Sequence, residues 1–188
     1  YSIKRSDITS LGGQAMKKYF AFIWIFVLVF IDQFTKFLAK TNLMNKDPIT
    51  IIKGVFELQY LENTGAAFGM LQDRILLFVI ITVVTVIAIL YLYSRIPYEK
   101  HFTPLRYILI FIMAGAIGNC IDRVVNQYVI DFLYIKLIDF PIFNIADCYV
   151  SISAVLLVLL LLFYYKEDDL EFLKKAEKDE RKMKGKDI

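Results

Sequence analysis

The sequence predicts an all-α polytopic membrane protein with four transmembrane helices and a small extracytoplasmic β-cradle. Three observations predict this fold class. The 188 residues are 58% hydrophobic and have a mean hydropathy of +0.55, far above the usage of soluble proteins. Four apolar runs have about the length of a transmembrane helix. Between the first two runs, one segment alternates apolar and polar residues with the period of a half-buried strand.

The predicted spans form an even-numbered series. They are Lys17–Leu38, Ile75–Tyr93, Pro104–Ile121 and Ile142–Tyr165. The first has no small-residue cleavage site and continues into a polar DQFTK motif, so we predict an uncleaved helix rather than a signal peptide. Asp32 and Lys36 lie four residues apart on one helical face, where they are expected to pair. The third span contains Ala114, Gly115 and Gly118, whose small side chains let membrane helices pack closely.

Two segments, 41–71 and 122–141, are predicted to lie outside the spans. The first holds Val55–Leu61, where the strand-like alternation occurs, and then Asn63–Gly69 with the sequence NTGAAFG. The small residues of NTGAAFG allow close backbone approach. The second segment is mixed apolar and polar, and it carries Asp131.

The two ends of the chain are set apart from the membrane domain, which we place at residues 16–165. Residues 1–15 are polar and precede a Met-Lys-Lys start, so we expect them to derive from an expression vector and the natural chain to begin at Met16. Residues 166–188 alternate in charge and are expected to form a solvated cytoplasmic tail.

Lysine and arginine residues predict the orientation of the spans. Lys17, Lys18, the loop from Arg95 to Arg106 and the Lys-rich tail fall on one side, which should be the cytoplasm. Both termini are then cytoplasmic, in a multi-pass chain. The polar motifs all fall at the opposite, extracytoplasmic ends of the spans.

Five short polar motifs mark the candidate site. They are DQFTK at 32–36, NTGAAFG at 63–69, GNCIDR at 118–123, VIDF at 129–132 and FNIAD at 143–147. Ionisable groups beside a bilayer are costly, so their clustering at one depth indicates a functional site.

The residue types available restrict the chemistry. His101 is the sole histidine, and it is predicted on the opposite membrane face, which disfavours Ser–His and Cys–His arrangements. Cys120, Cys148 and the aspartates show no zinc-ligand spacing. A Ser–Lys pair finds no serine in the cluster before Ser151. The net charge of +3, without a basic-aromatic pattern, disfavours nucleic acid.

Aspartates therefore remain as the candidate catalytic groups. Two carboxyls sharing a site cannot both ionise easily, so one can act as a base on water while the other acts as an acid. Asp147 is one candidate, and its partner is Asp131 or Asp122. Asp122 lies beside Arg123, which suits a permanently ionised structural carboxylate. Asp131 has apolar neighbours whose burial would raise its pKa, and we prefer it. An isolated interfacial aspartate is more often a helix cap or ion-pair partner, so the clustering carries this interpretation.

Transport is the alternative function class to proteolysis. Asp, Asn and Lys within a membrane also mark ion paths, so a small transporter or proton-conducting subunit is the alternative. Conduction requires polar groups along the membrane depth, and the second span has none. A purely structural scaffold would leave the five motifs at one depth without a reason.

At these motifs the chain resembles lipoprotein signal peptidase (signal peptidase II), a family of bacterial aspartyl proteases. The resemblance runs from about Met16 to Phe163, with the five motifs in family order around four spans. It implies cleavage of prolipoproteins on the N-terminal side of the diacylglyceryl-modified lipobox cysteine, in the bacterial cytoplasmic (inner) membrane. Cys148 departs from the family, because a serine is common there, and the charged tail is longer than in many members.

The resemblance implies a catalytic dyad of Asp131 and Asp147. It also implies a supporting shell, which consists of Asp32, Lys36, Asn63, Gly65, Asn119, Asp122, Arg123, Asn144 and Ala146. It implies no metal or organic cofactor, membrane lipid and globomycin-type inhibitors as partners, no nucleic acid, and a monomer. We expect the two dyad carboxyls to lie within reach of one bridging water, in a site open toward the bilayer, with Asp122 and Arg123 beside them.

Overall fold

The computed structural model describes residues 5–65 and 74–170, and the side chains of 19–65 and 74–169. Its helices are α1 (Arg5–Leu43), α2 (Ile75–Arg95), α3 (Thr103–Asn126) and α4 (Ile145–Phe163). Its strands are β1 (Ile49–Ile52), β2 (Phe56–Asn63) and β3 (Val129–Ile135). The predicted fold class is confirmed. Part of NTGAAFG, most of the charged tail and residues 1–4 lie outside the described residues.

Four helices are long and apolar enough to cross a membrane. Their candidate spans are Tyr19–Leu43, Ile75–Arg95, Lys100–Asn126 and Ile145–Phe163. The first helix continues beyond its predicted end at Leu38 to Leu43, and the fourth begins at Ile145 and not at Ile142. The third span differs as well, because α3 continues beyond Ile121 to Asn126. Asp122 and Arg123 therefore belong to the helix and not to the segment after it. The helix continues because Asp122 has partners inside the bundle, which the sequence pattern does not reveal.

Helix α3 lies at the centre of the bundle and packs against the other three helices. Its small residues make this possible, as predicted. A Cβ atom on Gly115 would lie 2.5 Å from the carbonyl oxygen of Ala146 on α4, and one on Gly118 would collide with Asp32 on α1. Any larger residue would push the helices apart at the depth of the polar motifs.

The extracytoplasmic segments form one antiparallel sheet in the order β1-β2-β3. The alternating segment predicted as a strand is β2. Its polar face is not simply solvated, because Glu57 is buried where Lys136 Nζ approaches its Oε1 to 2.8 Å. Beneath the sheet, Ile130 and Phe132 of β3 pack with Ala39 and Leu43 at the end of α1. This second apolar cluster seats the sheet on the helical bundle.

Strand β3 also pairs, on its other side, with the residue that leads into α4. Leu133 and Phe143 form an isolated antiparallel bridge, and their backbone N–H groups donate to each other's carbonyl oxygens at 2.8 and 3.0 Å. The next residue is Asn144, which caps α4. The bridge therefore fixes the start of α4 beside β3. This arrangement brings the polar residues of the two elements together.

Candidate active site

Asp131 is a buried carboxyl held by two amide side chains. It lies on β3 opposite Leu61, and its side chain is nearly inaccessible, at 1% exposure. Asn144 Nδ2 donates to its Oδ1 at 2.6 Å, and Asn63 Nδ2 donates to its Oδ2 at 2.9 Å. Burial, followed by the nearby charge of Asp147, raises the pKa of Asp131 from 3.8 to about 7. A carboxyl of this kind exchanges its proton near neutral pH.

Asp147 lies in the first turn of α4 and belongs to a reciprocal capping box. The backbone N–H of Asp147 donates to Asn144 Oδ1 at 3.0 Å, and the backbone N–H of Asn144 donates to Asp147 Oδ2 at 3.1 Å. The remaining oxygen, Oδ1, accepts a bond of 2.8 Å from Asn119 Nδ2. Each oxygen of Asp147 thus has a neutral N–H donor that fixes its direction.

Asn144 joins the two carboxyls, because its side chain donates to Asp131 while its backbone donates to Asp147. Both aspartates line one cavity of about 680 Å³. Polar groups of Asn63, Asn119 and Arg123 line the same cavity. The structure therefore brings the two residues predicted to be catalytic to one cavity, where Asn144 contacts both of them.

A second charged cluster lies behind this cavity and is paired internally. Lys36 Nζ contacts Asp32 Oδ2 at 2.9 Å and Asp122 Oδ2 at 3.0 Å, and all three side chains are almost fully buried. The predicted pairing of Asp32 with Lys36 is confirmed. Lys36 Nζ also donates to Asn119 Oδ1 at 2.8 Å. Because the ammonium can only donate, it fixes the amide of Asn119 with its NH₂ group directed at Asp147.

The two structural carboxylates also hold backbone from neighbouring elements. Asp32 Oδ1 accepts the backbone N–H of Ala146 at 2.9 Å, in the first turn of α4. Asp122 Oδ2 accepts the backbone N–H of Ile130 at 3.1 Å, directly before Asp131. The cluster thus connects α1 and α3 to both of the segments that carry Asp131 and Asp147.

Gln33 belongs to the same cluster and was missed from the sequence. Its Nε2 donates to Asp122 Oδ1 at 3.0 Å, to the carbonyl oxygen of Gly118 at 3.1 Å and to Asp32 Oδ2 at 3.2 Å. Its signal was an uncharged polar side chain inside the DQFTK motif of an otherwise apolar span. Its contacts could not be predicted, because their partners lie on another helix.

Arg123 and Gly65 form the far wall of the cavity. The guanidinium of Arg123 lies 4.5 Å from the ring centre of Phe78, and its Nη2 donates to the carbonyl oxygen of Gly65 at 3.4 Å. Gly65 in turn donates its backbone N–H to Asn63 Oδ1 at 2.9 Å. Arg123 lies beside the dyad as expected, whereas the side chain of Asp122 pairs with Lys36 and Gln33 instead of lining the cavity.

Several other expectations concern groups away from the dyad. His101 precedes α3, at the opposite end of that helix from Asn119, so it does not serve the cavity. Ala146, from the supporting shell, is completely buried between α3 and α4 and contributes its backbone N–H. Within the described part of the chain, no cluster of three or more His, Cys, Asp or Glu side chains is arranged to hold a metal ion.

Comparison with known proteins shows the family to which the chain belongs. Residues 24–163 match the family described as Signal peptidase (SPase) II. The lipoprotein signal peptidase of Caldanaerobacter subterraneus subsp. tengcongensis is 44% identical over 138 residues, covering 73% of this chain and 92% of the relative. That of Symbiobacterium thermophilum is 45% identical over 133 residues, covering 70% and 86%. That of Streptococcus pyogenes serotype M5 is 38% identical over 142 residues, covering 76% and 92%.

Solved structures agree with this sequence similarity. One structure of a bacterial membrane enzyme superposes with a TM-score of 0.68 at 32% identity, covering 78% of this chain and 92% of the other. A second superposes with a TM-score of 0.66 at 31% identity, covering 77% and 94%. The similarity covers more than three-quarters of the chain rather than one motif.

Proposed function

The chain belongs to the signal peptidase (SPase) II family, and we propose that Asp131 and Asp147 are the dyad with which it cleaves its substrates. It is an aspartic protease that removes signal peptides from prolipoproteins. We propose that the scissile bond precedes the diacylglyceryl-modified cysteine of the lipobox. The observation that supports the dyad most directly is Asn144, whose side chain and backbone N–H bind one carboxyl each.

The two carboxyls take opposite roles at the start of the reaction. Asp131 carries the proton, because burial and the charge of Asp147 raise its pKa to about 7. Asp147 acts as the base and takes a proton from a water molecule, whose oxygen attacks the scissile carbonyl carbon. Asp131 donates its proton to the carbonyl oxygen, which yields a tetrahedral gem-diol.

The second half of the reaction returns both protons. Asp147, now protonated, donates to the leaving amide nitrogen while a gem-diol hydroxyl returns its proton to Asp131. The C–N bond breaks, releasing the signal peptide with a new carboxyl group and the lipoprotein with a free cysteine amine. Neutral amide donors suit this exchange, because Asn63, Asn144 and Asn119 keep the carboxyls oriented in either protonation state.

The remainder of the cavity supports a lipidated, membrane-embedded substrate. Its lining beyond the polar groups is apolar and includes Phe140, Ile142, Phe143 and Ile152. Apolar walls beside a dyad at a helix end suit a substrate that arrives as a membrane helix with acyl chains at its outer end. We propose that globomycin-type cyclic peptides compete for this same cavity. The enzyme is expected to work as a monomer without a metal or organic cofactor.

The test of the proposal is cleavage of a diacylglyceryl-modified prolipoprotein by the purified protein in lipid. Wild type is expected to release the signal peptide, whereas Asp131→Asn and Asp147→Asn are not. Asp139→Asn is the matched control, since Asp139 is exposed after β3 and its side chain accepts a hydrogen bond only from Tyr134 among the described residues. An active, folded Asp131→Asn protein combined with an inactive Asp122→Asn protein would move the dyad to Asp122.

We also propose an orientation and an extent for the enzyme domain. Even spans and the Lys/Arg bias support cytoplasmic termini and an extracytoplasmic dyad in the bacterial inner membrane. Alkaline phosphatase, which is active only outside the cytoplasm, should be active when fused at Gly54 and inactive when fused at Glu99. The reverse pattern would invert the topology. We place the peptidase domain at residues 16–165, and expect removal of residues 171–188 to leave cleavage unchanged.

A further inference from the structure

The end of the bundle opposite the dyad contains a second cavity, of about 360 Å³. It forms where α2 ends and α3 begins, and Phe20 of α1 closes one side. No residue of the polar motifs lines it. Its lining combines tyrosines with the charged residues Glu99, Lys100 and Arg106.

Arg106 is the central feature of this cavity, because it forms no ion pair with any of the residues that the structure describes. The side chain is 9% exposed, and its Nη2 donates to the carbonyl oxygens of Ile96 at 2.6 Å and Pro97 at 2.9 Å. Its Nη1 is buried and has no hydrogen-bond partner in the described part of the chain. None of the ion pairs formed by the described residues includes it. A buried guanidinium with a free donor is costly unless an anion completes it.

The surroundings of Arg106 suit the membrane interface. The guanidinium carbon lies 3.9 Å from the ring centre of Tyr98 and 5.2 Å from that of Tyr93. Tyrosine rings concentrate at the level of lipid headgroups, and Arg106 lies near the start of a helix long enough to span the bilayer. Lys100 and Glu99 also line the cavity, so its three charged side chains sum to a net positive charge.

We propose that this cavity binds the phosphate of an anionic phospholipid headgroup. A phosphate oxygen supplies the acceptor and the negative charge that Arg106 lacks, and guanidinium binds phosphate with matched geometry. Lys100 adds a second positive charge, while the tyrosines contact the glycerol and upper acyl region. The site is separate from the dyad and from the substrate cavity.

Native mass spectrometry of the purified full-length protein tests this proposal with two lipids. Wild type is expected to retain phosphatidylglycerol in preference to zwitterionic phosphatidylcholine. Arg106→Gln should weaken phosphatidylglycerol binding roughly tenfold, the effect of losing one charge-assisted hydrogen bond. Arg95→Gln is the matched control, because Arg95 ends α2 near the same membrane face but does not line the cavity. It should stay within about twofold of wild type.

Other arms of the experiment distinguish the source of the phosphate and guard against misfolding. Phosphatidylglycerol should raise the melting temperature of wild type but not of Arg106→Gln, and inorganic phosphate should raise neither. Equal protection by inorganic phosphate would overturn a lipid ligand. Equal losses in Arg95→Gln would identify ordinary boundary lipid and also overturn the site. If Arg106→Gln fails to fold, Lys100→Gln decides, since an unchanged lipid preference in that variant contradicts the proposal.

Discussion

Two clusters of buried aspartates lie side by side, and their partners differ. Asp32 and Asp122 share the ammonium of Lys36, at 2.9 and 3.0 Å. Asp131 and Asp147 instead receive neutral N–H groups from asparagine side chains and backbone. Asp32, Asp122 and Asp131 are all almost inaccessible to solvent, so burial does not distinguish the clusters. The partner does, because the ammonium of Lys36 binds both carboxyls of one cluster, whereas neutral amides contact the carboxyls of the other.

Substitution of Asp131 or Asp147 should have the largest effect on cleavage. Asp131→Asn and Asp147→Asn should each reduce prolipoprotein cleavage by about a thousandfold or more, because an amide can neither give nor take the proton. The melting temperatures should stay near that of wild type. Cleavage kinetics with thermal denaturation measure both. A variant that loses stability and activity together would show that the dyad is structural, like its neighbour.

The ion-paired cluster should respond in the opposite way. Lys36→Met leaves two carboxylates buried without a cation, which should lower the free energy of unfolding by about 3–5 kcal/mol. Lys40→Met, one turn further along α1, serves as the control. Lys40 is half-buried and contacts Tyr128, so its loss should lower stability by less than about 1 kcal/mol. Equal stability of the two variants in chemical denaturation would contradict the assigned role of Lys36.

Asn144 contacts both Asp131 and Asp147, and its substitution should reduce cleavage less than substitution of either aspartate. Asn144→Ser keeps a cap acceptor for α4 but loses the amide NH₂ group that donates to Asp131. Loss of a hydrogen bond to a charged group is worth about 1.5–3 kcal/mol, so kcat should fall roughly tenfold to a hundredfold. Because this bond lowers the pKa of Asp131, the alkaline limb of the pH–rate profile should also move upward. A fall in kcat with an unshifted profile would indicate disturbed packing only.

The proton on Asp131 predicts two pH dependences. Cleavage should decline as pH rises through about 7, because the acid loses its proton there. Between the ordinary pKa of 3.8 and about 7, the folded chain keeps a proton that the unfolded chain releases. Stability from this group therefore falls as pH rises across that window. Unfolding measurements should show a flatter profile for Asp131→Asn, and parallel profiles would refute the raised pKa.

Metal removal should produce the smallest change, which is none. Acid–base chemistry by two carboxyls uses no metal ion, so exhaustive chelation should leave the cleavage rate intact. Loss of activity that zinc restores would sink the two-carboxyl mechanism, and would implicate Cys120 or Cys148, which are both free and partly exposed.

Apolar runs and apolar–polar alternation, which are local in sequence, predicted the four helices and one strand. The four apolar runs predicted α1 to α4, and the alternation of Val55–Leu61 predicted β2. Strand β3 was not predicted as part of the sheet, because Val129–Phe132 is buried on both faces and shows no alternation. Its pairing with Phe143 depends on residues distant in sequence. The end of α3 was placed too early in the sequence. The helix continues because Asp122, on α3, contacts Lys36 and Gln33 of α1.

For the candidate site too, local sequence predicted some features, while contacts between distant residues required the structure. Clustering of rare polar residues located it, and the pairing of Asp32 with Lys36 follows from helical spacing. The contacts of Gln33, and those through which Asn119 and Asn144 reach the dyad, join different elements and required the fold. The assignment of Asp131 and Asp147 as reacting groups stays a prediction that the variants above decide.

The capping box of α4 restricts which residues can be tolerated at position 144. In most helices the residue before the first turn is interchangeable among Ser, Thr, Asp and Asn. Here position 144 must accept from the helix through one atom while donating to Asp131 through another, and among these four residues only asparagine carries an acceptor and a separate donor. A saturation library at Asn144, selected for prolipoprotein processing, should therefore return a single residue where an ordinary cap would return four.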